Sequence, residues 1–119
     1  MKILIADDNA LVRSCMSSTF EDRGHTVSEA RDGAEALDAI RGQQFDAVLM
    51  DLMMPRMGGL EATRTLRQEP AFASLPVFAF SGMLDLEGFD PALFTRVFPK
   101  PIAPAEVVIA IEKSLARNS

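Results

Sequence analysis

The chain has 119 residues, 48% of them hydrophobic, which suits one domain with a real core, expected to span 1–119, and leaves no room for two. Cys15 is the only cysteine, so no intrachain disulfide can form. The formal net charge is −5 and no basic run occurs, which argues against direct nucleic-acid binding. No apolar stretch approaches the ~20 residues that span a bilayer, and the N-terminal segment lacks a signal-peptide pattern, so the expected location is the cytoplasm, away from the membrane.

Short apolar runs alternate with stretches of helical period. Ile3 to Ala6 reads as a buried strand ending on Asp7-Asp8. Asn9 can cap a helix whose apolar stripe is Leu11, Val12, Cys15, Met16, Thr19 and Phe20, with Gly24 as its stop and Cys15 placed in the core. His25 to Ala30 reads as a strand. Asp32 and Glu35 form a capping-box pattern for a helix that Gly42 ends. Ala47 to Met50 is a buried run that ends on Asp51. A loop marked by Met54-Pro55 and Gly58-Gly59 then leads to a helix over Leu60 to Gln68. Pro76 to Phe80 is a fourth strand, closed by Ser81-Gly82, and Arg96 to Pro99 is a fifth. Pro104 opens the last helix, which runs to Arg117. Met83 to Thr95 should hold a helix as well, but Gly88 and Pro91 interrupt it, so that helix is expected to be short or irregular. Buried strands separated by helices predict an α/β fold, a parallel sheet with helices on both faces.

In open parallel sheets, ligands bind beyond the carboxyl ends of the strands. There the first strand delivers Asp7 and Asp8, the third Asp51, the fourth Ser81 and the fifth Lys100. Three clustered carboxylates repel one another, by about 4 kcal/mol for a pair at ~4 Å in an effective dielectric of 20. A hard divalent cation relieves that repulsion, and Mg²⁺ favours a few carboxylates, water and phosphate oxygens. One carboxylate can then attack phosphorus, while an ammonium and a hydroxyl stabilise the transferring oxygens. Each feature alone also fits a cap, a turn or a surface charge; their meeting at one rim is the informative observation.

Asp7-Asp8 after the first strand, the run Met50-Asp51-Leu52-Met53-Met54-Pro55 with Met57 and Gly59, Ser81 after the fourth strand and Lys100-Pro101 after the fifth resemble the receiver domain of two-component response regulators. The resemblance covers essentially the whole chain. It implies a doubly wound, flavodoxin-like, five-stranded sheet in the order 2-1-3-4-5. It implies a phosphorelay switch in which Asp51 takes a phosphoryl group from a sensor histidine kinase or a histidine phosphotransfer protein and signals to a downstream effector or attached domain. The chain would promote its own phosphorylation and dephosphorylation. The metal would be Mg²⁺, or Mn²⁺ in its place, held by Asp8, Asp51 and the Met53 carbonyl, with Asp7 acting mostly through water. Ser81 and Lys100 would contact the phosphoryl oxygens, and the Lys100–Pro101 bond would be cis.

Two departures stand out. The family's switch aromatic, three residues before the lysine, is Val97 here; Phe98 follows it, facing the other way unless a bulge intervenes. The span from Ser81 to Lys100 is also two or three residues short. Two other classes compete. A pseudo-receiver would not retain Asp7, Asp8, Asp51, Ser81 and Lys100 together. A Mg²⁺-dependent phosphohydrolase or nucleotide-binding enzyme would be expected to carry a phosphate loop or a second Asp where Met53 stands, and neither is present.

Overall fold

The computed structural model describes residues 1–82 and 87–117. Five parallel strands, β1 (Lys2–Ala6), β2 (Thr26–Ala30), β3 (Ala47–Asp51), β4 (Val77–Ser81) and β5 (Arg96–Pro99), form one sheet in the order β2-β1-β3-β4-β5. Four helices connect and cover it: α1 (Ala10–Asp22), α2 (Gly33–Gly42), α3 (Gly59–Gln68) and α4 (Pro104–Arg117). Every residue of β3 and β4 is buried, which is why these segments read as unbroken apolar runs rather than as alternating ones.

Alternation along the strands divides the core into two layers. Ile3, Ile5, Leu49, Phe78, Phe80 and Phe98 face α1 and α4 and meet Met16, Phe20, Val107 and Ile111. Leu4, Ala6, Val48, Met50, Val77 and Ala79 face α2 and α3 and meet Leu37, Ile40, Ala62 and Leu66.

The local signals for helix starts hold. The Asn9 side chain accepts the N–H groups of Leu11 and Val12, and Asp32 accepts that of Glu35. The capping box is not reciprocal, however: the Glu35 carboxylate takes the N–H and the guanidinium of Arg31 instead. Gly24 adopts φ +88°, the left-handed turn that follows α1. Cys15 is a correction to the sequence reading. It is exposed, as is Leu11, because α1 turns a broader face to solvent than its apolar spacing suggests.

Between β4 and β5, described residues 87–95 hold only a single 3₁₀ turn, Pro91–Leu93, in keeping with the interrupted pattern; Met83 to Leu86 lie outside the described residues. This segment hangs from α3. Arg64 donates to the Gly88 carbonyl, and Arg67 donates to the carbonyls of Leu93, Phe72 and Leu75. Phe89 and Phe94 stack with ring centroids 6.1 Å apart and close the α2/α3 layer. Strand β5 pairs with β4 in unbroken register, Ala79 with Val97 and Phe80 with Phe98. No bulge turns Phe98 over: its ring stacks on Phe78 in the α1/α4 layer, and Val97 packs against the other.

Candidate functional site

Register alone brings the acids together. Ala6 pairs with Met50, so the next residues on each strand, Asp7 and Asp51, leave the sheet side by side. Asp8 follows Asp7 and remains exposed. Carboxylate oxygens from Asp7, Asp8 and Asp51 all lie within 4.8 Å of one another. This is an all-oxygen donor set that a single hard cation can share, so the residues fit a divalent metal.

Each acid is held by specific donors. The Asp7 carboxylate, fully buried, accepts the Asn9 N–H at 2.8 Å, and the Asp7 carbonyl accepts from Arg13 at 2.8 Å. Asp51, only 4% exposed, accepts the Met53 N–H at 3.1 Å through Oδ1. Lys100 Nζ bridges the pair, 3.0 Å from Asp7 Oδ2 and 3.0 Å from Asp51 Oδ2, and lies 4.4 Å from the centroid of the Phe80 ring. The Lys100 N–H donates to the Ser81 carbonyl, which ties the ends of β4 and β5 together, and the Lys100–Pro101 bond is cis. Ser81 is buried at the end of β4, next to the strand that carries Asp51.

The electrostatics follow from burial and from these contacts. Burial pushes the Asp51 carboxyl above its ordinary range; the Met53 N–H and Lys100 oppose the shift, and Asp7 adds to it. Burial also pulls the Lys100 ammonium down, but its hydrogen bonds to Asp7 and Asp51 outweigh this and leave it raised, hence charged. The rim therefore presents a cation-seeking cluster of three acids with one charged ammonium at its edge.

Close backbone approach shapes the site as well. A Cβ on Gly59 would sit 2.3 Å from the Asp51 carbonyl oxygen, so only glycine lets α3 start this close to the end of β3. All the residues singled out from sequence stand at the rim: Asp7, Asp8, Asp51, Ser81 and Lys100 at strand ends, and Met53, 47% exposed, on the loop after β3. Sequence reading missed Arg13, which buttresses Asp7, and Phe80 beneath Lys100. Both come from helix or strand periodicity that otherwise speaks only of packing. A larger surface hollow, about 800 Å³, lies by Lys2, Phe45 and Phe72 and includes none of these acids. Among the described residues, no helix is long and apolar enough to cross a membrane.

Comparison with known proteins agrees with this geometry. The family model for the response regulator receiver domain matches residues 3–112, and the chain belongs to that family. The response regulator MprA of Mycobacterium sp. (strain KMS) is 34% identical over 123 residues, covering 100% of this chain and 52% of that protein. The CAI-1 autoinducer sensor kinase/phosphatase CqsS of Vibrio cholerae is 40% identical over 82 residues, 68% of this chain and 12% of that protein. The chain thus spans about half, or much less, of these curated relatives. Among solved structures, the chemotaxis response regulator CheY4 of Vibrio cholerae superposes with a TM-score of 0.86 at 28% identity, over 95% of this chain and 97% of that one.

Proposed function

We propose that Asp51 is the phosphoacceptor of a two-component phosphorelay. The observation that carries this reading is the arrangement at the rim: Lys100 held at 3.0 Å between Asp7 and Asp51, with Asp8 completing a shared-cation cluster. An Asp51 oxygen attacks phosphorus, and the P–N bond of a partner's phosphohistidine breaks. The electron pair stays on the imidazole nitrogen, and an acyl phosphate remains on Asp51. A bound Mg²⁺, or Mn²⁺ in its place, would neutralise charge on the phosphoryl oxygens and on the acids. Asp8, Asp51 and the Met53 carbonyl would hold it, with Asp7 behind them. Lys100 and the Ser81 hydroxyl would take the remaining phosphoryl oxygens, and water attack on phosphorus would later release phosphate and restore Asp51.

The phosphoryl donor must reach Asp51 from outside, so the surface beside the rim has to meet the partner. A groove of about 510 Å³ whose walls include Leu11, Cys15, Lys100, Ile102 and Pro104 adjoins the rim and supports this role. Leu11 is 73% exposed there, an apolar contact that a helix of a histidine kinase or phosphotransfer protein can cover. Signalling onward to an effector or an attached domain completes the proposed role.

The test is to incubate the protein with Mg²⁺ and acetyl phosphate and to follow intact mass. The wild type should gain one acid-labile phosphoryl group and Asp51→Asn should not. Equal labelling of Asp51→Asn would defeat the assignment, and no labelling of the wild type would leave a binding module that does not turn over phosphate.

A further inference from the structure

The loop between β3 and α3 carries Met53, and it is fastened to the start of α2 at two adjacent points. One is a backbone hydrogen bond from the Gly33 N–H to the Met57 carbonyl, 2.7 Å. A Cβ on Gly33 would lie 2.7 Å from that same oxygen, so glycine permits the approach. The other is ionic. Arg56 Nε lies 2.9 Å from Asp32 Oδ2, and Arg56 Nη2 bonds to the same oxygen. Asp32 is buried, whereas 70% of the Arg56 side chain is exposed. Arg56 also adopts φ +66°, and no other non-glycine among the described residues has a positive φ. A bulky side chain persists in that conformation only where its surroundings dictate it. Asp32 holds the Arg56 side chain in it through Oδ2 while its Oδ1 caps α2 through the Glu35 N–H at 2.9 Å. Two residues upstream, the Ala30 carbonyl receives the Asp7 N–H at 3.1 Å. The ion pair therefore joins the segment that supports Asp7 to the loop that follows Asp51.

We propose that the Asp32–Arg56 pair is a positioning device for the cation site: it holds the β3–α3 loop so that the Met53 carbonyl is already placed when the ion arrives. Neither side chain touches the ion or the phosphoryl group. The inference rests on the metal assignment made under the proposed function. Its signature separates it from a field effect. Arg56 is a cation near a cation site, so loss of its charge alone should tighten Mg²⁺ binding, and loss of the Asp32 charge alone should weaken it. A tether predicts that either loss weakens binding, and that losing both costs no more than losing one.

The variants are Asp32→Asn, which keeps an oxygen for the α2 cap, Arg56→Asn, which tolerates the left-handed conformation, and the double substitution. Mg²⁺ binding is followed by amide shifts in nuclear magnetic resonance titrations. The Mg²⁺ dependence of labelling by acetyl phosphate gives a second readout. Each variant should raise the half-saturating Mg²⁺ concentration about threefold to tenfold, at or below the lower end of what losing a partner behind a metal ligand costs, with the labelling plateau unchanged at excess Mg²⁺. The double variant should match the singles. Arg56→Asn binding Mg²⁺ as tightly as the wild type, or more tightly, overturns the proposal, as does an additive double variant. A wild type that binds no Mg²⁺ instead removes the metal assignment itself.

Discussion

Asp51→Asn should make the metal-free protein more stable, although it removes a hydrogen-bonded, ion-paired side chain. In an effective dielectric of about 20, attraction to Lys100 at 3.0 Å is worth about 5.5 kcal/mol, and repulsion between two carboxylates no more than 4.8 Å apart at least about 3.5 kcal/mol. Asp7 and Asp8 both repel Asp51, the exposed Asp8 through more solvent screening, so attraction and repulsion nearly cancel. Burial then decides, and it raises the Asp51 pKa. A carboxyl raised in this way contributes stability that is full below its unfolded value of 3.8 and lost as pH rises through the folded value. At neutral pH the substitution escapes that loss, a gain of about 1 kcal/mol, or about 4 °C in Tm for a chain of this size. The gain should vanish as pH falls below 3.8. Mg²⁺ should reverse the order: the wild type gains about 2.7 kcal/mol when Mg²⁺ exceeds its Kd a hundredfold, and Asp51→Asn gains much less. The chain has neither Trp nor Tyr, so urea unfolding is best followed by circular dichroism, with and without Mg²⁺. A less stable Asp51→Asn without Mg²⁺, or no reversal with it, would refute this balance of burial against pairing.

Other expectations concern lifetime, acid stability and output. The Met53 side chain is exposed two residues after Asp51 and cannot orient a water; if it borders the approach to Asp51, as the family resemblance implies, Met53→Asn should speed loss of the phosphoryl group about threefold to tenfold, measured as decay of the labelled mass, and slower or equal decay counts against it. Hydrogen bonds from Arg23 and then His25 hold Glu112 down at about 2, and this stability is present above its ordinary 4.5 and lost as pH falls toward about 2. Glu112 is 23% exposed, so solvent reduces the full worth of the shift, and Glu112→Gln should cost about 1–2 kcal/mol near neutral pH, a gap that closes in acid urea titrations. With Val97 in place of a switch aromatic, output is expected to run through a change of order in the segment between β4 and β5: a beryllofluoride mimic should change amide exchange across Gly88 to Thr95, and unchanged protection there, with changes confined to Val97 and Phe98, would overturn that route.

The sequence carried the rim because strand ends are set by local pattern: each apolar run stops at the residue that becomes functional, and the parallel order lines those stops up. It carried the interrupted segment after β4 through Gly88 and Pro91. Cys15 was misread because helical spacing says which residues share a face but not how wide the buried stripe is. The tie between Asp32 and Arg56 was illegible, since it joins residues 24 apart, of which Asp32 was already explained as a helix cap and Arg56 carried no signal of its own. The question of Phe98 needed the β4–β5 register, which only pairing supplies.

Strict alternation on β5 has a further result. The groove beside Lys100 opens from the α1/α4 layer, whereas the segment tethered by Arg64 and Arg67 closes the α2/α3 layer, and the sheet lies between them. Phe98 packs in one layer and Val97 in the other, so a side-chain change at either position acts first on its own layer. A molecule seated against Leu11 and a molecule reading residues 87–95 would not compete for space. Were the phosphoryl donor to dock in the groove and an effector on residues 87–95, both would fit on the molecule at once.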